Sequence, residues 1–337
     1  MTSKQLSSSA FYSEYHGHTI EHLDALHEHL PEGRGVVYLV GDSTLDNKYW
    51  LGRATHTATN GYERILTPPK AVPDVAHHLN AELVRRGRGD KLVCINTAIE
   101  ESTLGLRHNG KLLPQDAWVR SHIAEPDVLI VSCGGNDIAL RPTVMTGLSM
   151  ATLLAMPKGL IACGPWMAPG LAHFTSLFRD ATRRYVESLI GVHKPRVVVV
   201  CMLYYLDVQP GGSWADNVLR LLGYDKDPEK LQICMRKIFE YATTQIKIDG
   251  VQVVPVPLYE ALDGTISADY AQRVEPSAQG GLKMANLILD RLLPVYENVG
   301  AAPGGGAAAG RARRSPRGAG AGDDVVAMPK AVHAENE

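Results

Sequence analysis

Val36-Val37-Tyr38-Leu39-Val40-Gly41-Asp42-Ser43-Thr44-Leu45-Asp46-Asn47 is the stretch whose reading decides the fold. Five apolar residues run without interruption into Gly-Asp-Ser, and a polar turn follows. A continuous apolar run of this kind reads as a strand buried on both faces, as in a parallel sheet covered by helices. In such sheets chemistry sits just beyond the carboxyl ends of the strands, and Ser43 falls there. The other reading is that Asp42 and Ser43 cap the next helix, a role both residue types fill well.

Four more apolar runs repeat the pattern, at residues 91–96, 127–133, 196–203 and 251–256. Helical spacing separates them. Val75, Leu79 and Leu83 recur on one face of a helix over 74–86 that Gly87 stops. Further helices are expected over 114–124, 171–190, 228–248 and 277–293, and a short one over 46–53. Five strands alternating with helices predict an α/β fold, a three-layer αβα sandwich around a five-stranded parallel sheet in flavodoxin-like order. Pro255 marks the last strand as ending there or lying at an edge. A nucleotide fold is the natural rival, but no Gly-x-Gly-x-x-Gly follows the first strand and no Gly-x4-Gly-Lys-Ser/Thr occurs in the sequence.

The flanks differ from this body. Residues 1–33 are polar and rich in histidine, and a surface helix over 13–30 would place His18 and His22 on one face. Partner ligands and a supporting shell for a metal are missing from that pattern. Beyond residue 300 the composition turns to Gly, Ala, Arg and Pro, which predicts a disordered tail over 300–337 with a basic cluster at Arg311, Arg313, Arg314 and Arg317. The folded domain is expected over 34–299. Within it, residues 143–170 are the least polar stretch, cut by Pro157, Pro165 and Pro169. They read as packing under a long connection, with the roof of an acyl pocket as the alternative.

Bulk properties narrow the function classes. A chain of 337 residues, 45% apolar and 21% charged, has the composition of a soluble globular protein. A formal net charge of −2 gives no overall field favouring nucleic acid or an anionic membrane. The five cysteines are widely spaced, and Cys94, Cys133 and Cys201 lie in apolar runs, which points to reduced thiols. The first ten residues lack the apolar core of a signal peptide, and no run reaches the roughly 20 apolar residues of a membrane span. A cytoplasmic location is expected; neither a cofactor nor a metal is called for.

Polar blocks follow the first three strands and precede the last helix: Gly41-Asp42-Ser43, Asn96-Thr97-Ala98-Ile99-Glu100-Glu101-Ser102, Gly134-Gly135-Asn136-Asp137, and Val274-Glu275-Pro276-Ser277. Together they resemble the block pattern of the SGNH, or GDSL-type, hydrolase superfamily over residues 35 to about 293. The resemblance implies that Ser43 is the nucleophile and that Asn136 binds the oxyanion with the N–H groups of Ser43 and Glu101. Asp42 and Gly135 would join them in binding the oxyanion or substrate. Donors aimed at developing negative charge are worth ~3–4 kcal/mol each. Asn136 and Asp137 also suit a turn after a strand.

Two departures stand out. Where the superfamily carries Asp-x-x-His-Pro, this chain has Gln272-Arg273-Val274-Glu275-Pro276, so a carboxylate replaces the imidazole. A free Glu near pKa ~4.3 against ~6.5 for His is a weaker base by about 3 kcal/mol, part of which burial would restore. The second-block glycine aligns with Glu101. Three readings stay open: a Ser43–Glu275 nucleophile–base pair, general acid/base work by Glu275 and Glu101, or a pseudo-hydrolase that binds a ligand or protein without turnover. Glu275 also suits the start of a helix. The expected activity is hydrolysis of a carboxylic ester or related acyl bond in a small-molecule substrate; oligomeric state is not legible.

Overall fold

The computed structural model describes residues 5–31, 33–301 and 325–329. Five strands form a parallel sheet: β1 (Gly35–Gly41), β2 (Leu92–Asn96), β3 (Val128–Ser132), β4 (Val197–Met202) and β5 (Gln252–Pro257). Their spatial order is β2-β1-β3-β4-β5, with every neighbouring pair parallel. The expected αβα sandwich is therefore what the chain adopts. Strand order reverses between β1 and β3, and a crevice opens outside their carboxyl ends. Pro255 lies in β5, an edge strand, where a missing N–H costs the sheet little.

Side chains of β1 alternate between two cores. Val36, Tyr38 and Val40 face one layer, and Val37 and Leu39 face the other. The first layer holds α1 (Ile20–His29), α3 (Pro114–His122) and α8 (Thr182–Ile190), through residues such as Leu23, Leu26, Val119, Val186 and Leu189. The second holds α2 (Val75–Arg85) and the last helix, α11 (Ala278–Ala301), through Leu79, Leu83, Met284, Ile288 and Leu292.

A third apolar cluster caps the sheet beside the crevice. It is built from α4 (Gly135–Ala139), α5 (Val144–Ala155), α6 (Lys158–Ala162), α7 (Gly170–Ser176) and α10 (Pro228–Tyr241) with the segments that join them, while α9 (Asp216–Leu221) packs Leu219 into a smaller cluster with Ala215 and Tyr224.

Several expectations need correcting. The helix expected over 13–30 begins only at Ile20, because the Thr19 hydroxyl accepts the His22 N–H at 3.2 Å and starts the helix there. His18 thus precedes the helix instead of sharing a face with His22. It is buried, with Nδ1 2.8 Å from the Phe11 carbonyl. Nor is the helix superficial, since Leu23 and Leu26 are fully buried.

The helix expected over 171–190 is interrupted by a π turn at Leu177–Ala181, and the one expected over 228–248 ends at Tyr241 before a 3-10 turn. The last helix runs through Pro294, which lies on its exposed face where water can satisfy the freed carbonyl. Of the tail expected to be disordered, Val325 pairs with Leu112, whose carbonyl accepts the Val326 N–H at 2.8 Å. The arginine cluster at 311–317 lies outside the described residues.

Candidate active site

Gly41 ends β1 at φ +121°, and a side chain there would collide with the Ser132 carbonyl of β3, 1.7 Å from an ideal Cβ. Only glycine lets the two strands close up at this point. The chain then turns sharply. Asp42 accepts the Thr44 N–H at 3.1 Å, and Ser43 is left at the floor of the crevice.

After β3, Gly134 takes φ +105° against the ring of Phe178, which the π turn brings forward. Asn136 follows in α4. Its side-chain amide donates to the Ser102 carbonyl at 3.1 Å, and an amide carries a second N–H. Asp137 accepts the N–H groups of Leu104 and Gly105 at 2.8 and 2.9 Å, so it pins the loop after β2.

Glu275 arrives on a hairpin. Tyr270–Ala271 pairs antiparallel with Glu275–Pro276, and Gln272 and Arg273 turn the chain at φ +51° and +65°. The hairpin backbone is fastened from three sides. Asn47 donates to the Pro276 carbonyl at 2.8 Å, Tyr204 donates to the Val274 carbonyl at 2.5 Å, and Arg273 pairs with Asp216 and Asp225 at 2.8 and 2.9 Å. Ser277 caps α11 through the Gly280 N–H at 3.2 Å, so Glu275 itself caps nothing.

Its carboxyl turns inward instead, and the Ser43 hydroxyl donates to Oε1 at 3.4 Å. The other oxygen, Oε2, is buried without a hydrogen-bond partner. Gln272, expected from the resemblance to stand where an aspartate would, accepts the backbone N–H of Trp214 at 3.4 Å.

Around this pair lie more buried acids. Asp46 pairs with Lys48 at 2.7 Å, both fully buried, and accepts the Glu100 N–H at 3.2 Å. Glu100 and Asp42 each bury a carboxylate oxygen that has no hydrogen-bond partner. Burial, reinforced by Asp42 and Asp46, pushes the Glu275 carboxyl up to about 8 against the pull of the Ser43 hydrogen bond. Burial and the Glu275 and Asp46 charges hold Glu100 well above the carboxylate range. Asp42 rises to about 6, chiefly through burial. Burial, with neighbouring carboxylates, thus holds all three toward the protonated form.

Glu101 sits elsewhere. It takes φ +58°, a left-handed conformation that suits glycine, and its carboxylate lies toward the N-terminal segment. There it accepts from the Tyr15 hydroxyl at 3.2 Å and lies 3.8 Å from His16 Nε2. Sequence reasoning missed Glu100 and Tyr15 as neighbours of the site. Tyr15 is raised by burial and by Glu100, Glu101 and Glu275 together.

Asp42, Ser43, Gly135, Asn136 and Glu275 all line one cavity of about 140 Å³; Glu101 does not. Most of the remaining wall is apolar, with Met150, Leu153, Phe174, Phe178, Met235 and Ile238 of the cap prominent and Met202, Leu203 and Leu206 at and after the end of β4. Residues 143–170, expected as ordinary packing, in part roof this cavity through Met150 and Leu153. Among the described residues, no group of three or more His, Cys, Asp or Glu side chains is arranged to hold a metal, and no helix is long and apolar enough to cross a membrane.

No family model and no curated protein matches the sequence. Among solved structures the chain is similar to a family 3 carbohydrate esterase from Talaromyces cellulolyticus, at 12% identity over 78% of this chain and 99% of that one, with a TM-score of 0.41. It is also similar to an acetyl xylan esterase from Geobacillus stearothermophilus, at 18% identity over 77% and 95%, TM-score 0.39. A third likeness is to an extracellular lipase from Streptomyces rimosus, at 15% identity over 79% and 99%, TM-score 0.40. What the site can do follows from this chain's own residues: an αβα sandwich that gathers a serine, an asparagine and a carboxyl at the switch point of its sheet.

Proposed function

We propose that the protein hydrolyses carboxylic esters with an apolar acyl group, through a serine nucleophile and a glutamate base. The observation that carries this reading is the 3.4 Å hydrogen bond from Ser43 to Glu275 in the wall of an otherwise apolar cavity. Ser43 Oγ would attack the ester carbonyl while its proton passes to Glu275 Oε1. Asn136, with its second N–H, and the backbone N–H of Ser43 would receive the oxyanion. Collapse of the tetrahedral intermediate would expel the alkoxide, which takes the proton back from Glu275 and leaves as alcohol. Water, deprotonated by the same carboxylate, would then release the acid and free Ser43.

A cavity of about 140 Å³ matches the roughly 150 Å³ of a dry apolar cavity that holds benzene, so an acyl chain of about six carbons fits. The base must be ionised to accept a proton. With Glu275 raised to about 8, turnover rises with pH through that value.

A fluorophosphonate probe tests the nucleophile: labelling of the parent and none of Ser43→Ala is expected. Glu275→Gln should lower kcat by about 10²–10⁴-fold. One observation favours a second reading. A carboxyl held neutral at pH 7 is no base, which suits a protein that binds an acyl ligand without consuming it. Absence of labelling and turnover at pH 9, with a fatty acid still raising the melting temperature, would establish that reading in place of the hydrolase.

A further inference from the structure

The cap contains a helix that carries apolar side chains on its outer face as well as its inner one. In α5 the side chains turned inward include Thr146 and Ser149, whereas Val144, Met145 and Leu148 are 82%, 57% and 60% exposed. The inner face is held by polar and backbone contacts. Thr146 Oγ1 lies 3.0 Å from His173 Nε2, and Gly170 of α7 is small enough to meet the Ser149 carbonyl. Further along the cap, Trp166 is 88% and Met167 52% exposed. Large apolar side chains gathered outward in this way mark a surface that another apolar body covers.

Two observations identify that body. Residues 142–172 contain one charged side chain, Lys158, and it is neutralised by Asp227 and Glu229 at 3.1 and 2.7 Å. Within this stretch no uncompensated positive charge is offered to an anionic partner. Secondly, the helix that turns Val144, Met145 and Leu148 outward turns Met150 and Leu153 into the cavity that holds Ser43. One helix connects an external apolar face to the acyl site. We infer that α5 docks on the surface of an uncharged lipid aggregate, so that apolar chains pass from that surface into the cavity. The docking itself rests on the exposed face; its link to catalysis rests on the ester-hydrolase reading. Apolar burial drives this association, and salt leaves it unchanged, unlike binding to anionic lipid.

Flotation with phosphatidylcholine vesicles tests docking apart from chemistry. Full-length protein carrying Ser43→Ala should float with the vesicles equally at low and high salt. Adding Val144→Ser, Met145→Gln and Leu148→Gln should cut the bound fraction about tenfold or more, given the apolar area removed. The melting temperature should hold, because these side chains are on the surface. On an ester substrate, the triple variant with Ser43 intact should keep the rate on monomers and lose any rise on aggregates. Failure of the Ser43→Ala protein to float, or flotation that salt abolishes, overturns the proposal. So does a parent dimer that the triple variant converts to monomer without vesicle binding, since a second copy then covers the face. Flotation without ester turnover would leave docking standing and remove the hydrolase reading alone.

Discussion

Two buried polar networks lie on either side of the loop that follows β2, and they are built on opposite principles. Behind it, Arg107 binds Asp116 at 2.8 Å and the Ser102 hydroxyl at 2.9 Å, lies over the Tyr185 ring at 4.5 Å, and shares Asp116 with the Tyr185 hydroxyl at 2.6 Å. Charge there is balanced and the donors are used. On the Ser43 side, Asp42, Glu100 and Glu275 each leave a buried carboxylate oxygen without a hydrogen-bond partner. The first network holds the loop in place. The second stores unfavourable electrostatics beside a hydroxyl, as sites that need perturbed pKa values do.

The sharpest way to break the contrast is to remove a charge from each side. Arg107→Met strands Asp116 in the interior and should cost about 3–5 kcal/mol of stability, read by chemical denaturation. Glu275→Gln should do the reverse above pH 8 and raise stability, because a buried charge is lost. The pH dependence follows from the same shift. A carboxyl near 4.5 unfolded and about 8 folded binds more protons in the folded state between those values. Stability should therefore fall as pH rises from about 4.5 to about 8, and melting curves of Glu275→Gln should show a shallower fall. A parallel slope in parent and variant would mean that Glu275 is not the group responsible. The smallest effect is expected at Asn47, which bridges the Pro276 carbonyl and the Val75 N–H at 2.8 and 3.1 Å. Asn47→Ala should cost about 1–3 kcal/mol by leaving buried backbone groups unmade, and it should lower turnover by loosening the Glu275 hairpin.

Much of this architecture could be read from the chain. Uninterrupted apolar runs such as 36–40 and 128–131 admit few other roles, and Gly-Asp-Ser and Gly-Gly-Asn-Asp fall at the ends of neighbouring strands. The carboxylates were harder. Glu100 and Glu101 are adjacent and alike in sequence, yet one faces inward and the other faces Tyr15. Of the two, Glu101 takes a left-handed φ of +58° and Glu100 does not, and residue identity does not announce it. The cavity was equally hidden, since its wall is assembled from segments as far apart as Met150, Phe178 and Ile238. The outward apolar face of α5 defeated pattern reading for another reason. Burial rules assume that apolar residues turn inward, and at Val144, Met145 and Leu148 they do not.

The hairpin that carries Glu275 has a further implication. The bonds that fasten its backbone run through the carbonyls of Gln272, Arg273, Val274 and Pro276, the side chains of Gln272 and Arg273 and the Ala271–Glu275 pairing, and none of these uses the Glu275 side chain. The socket and the side chain in it are separately specified. Such a part is interchangeable: the group beside Ser43, and with it the acidity of the site, can be altered by one codon while the sheet, the serine and the apolar cavity stay as they are.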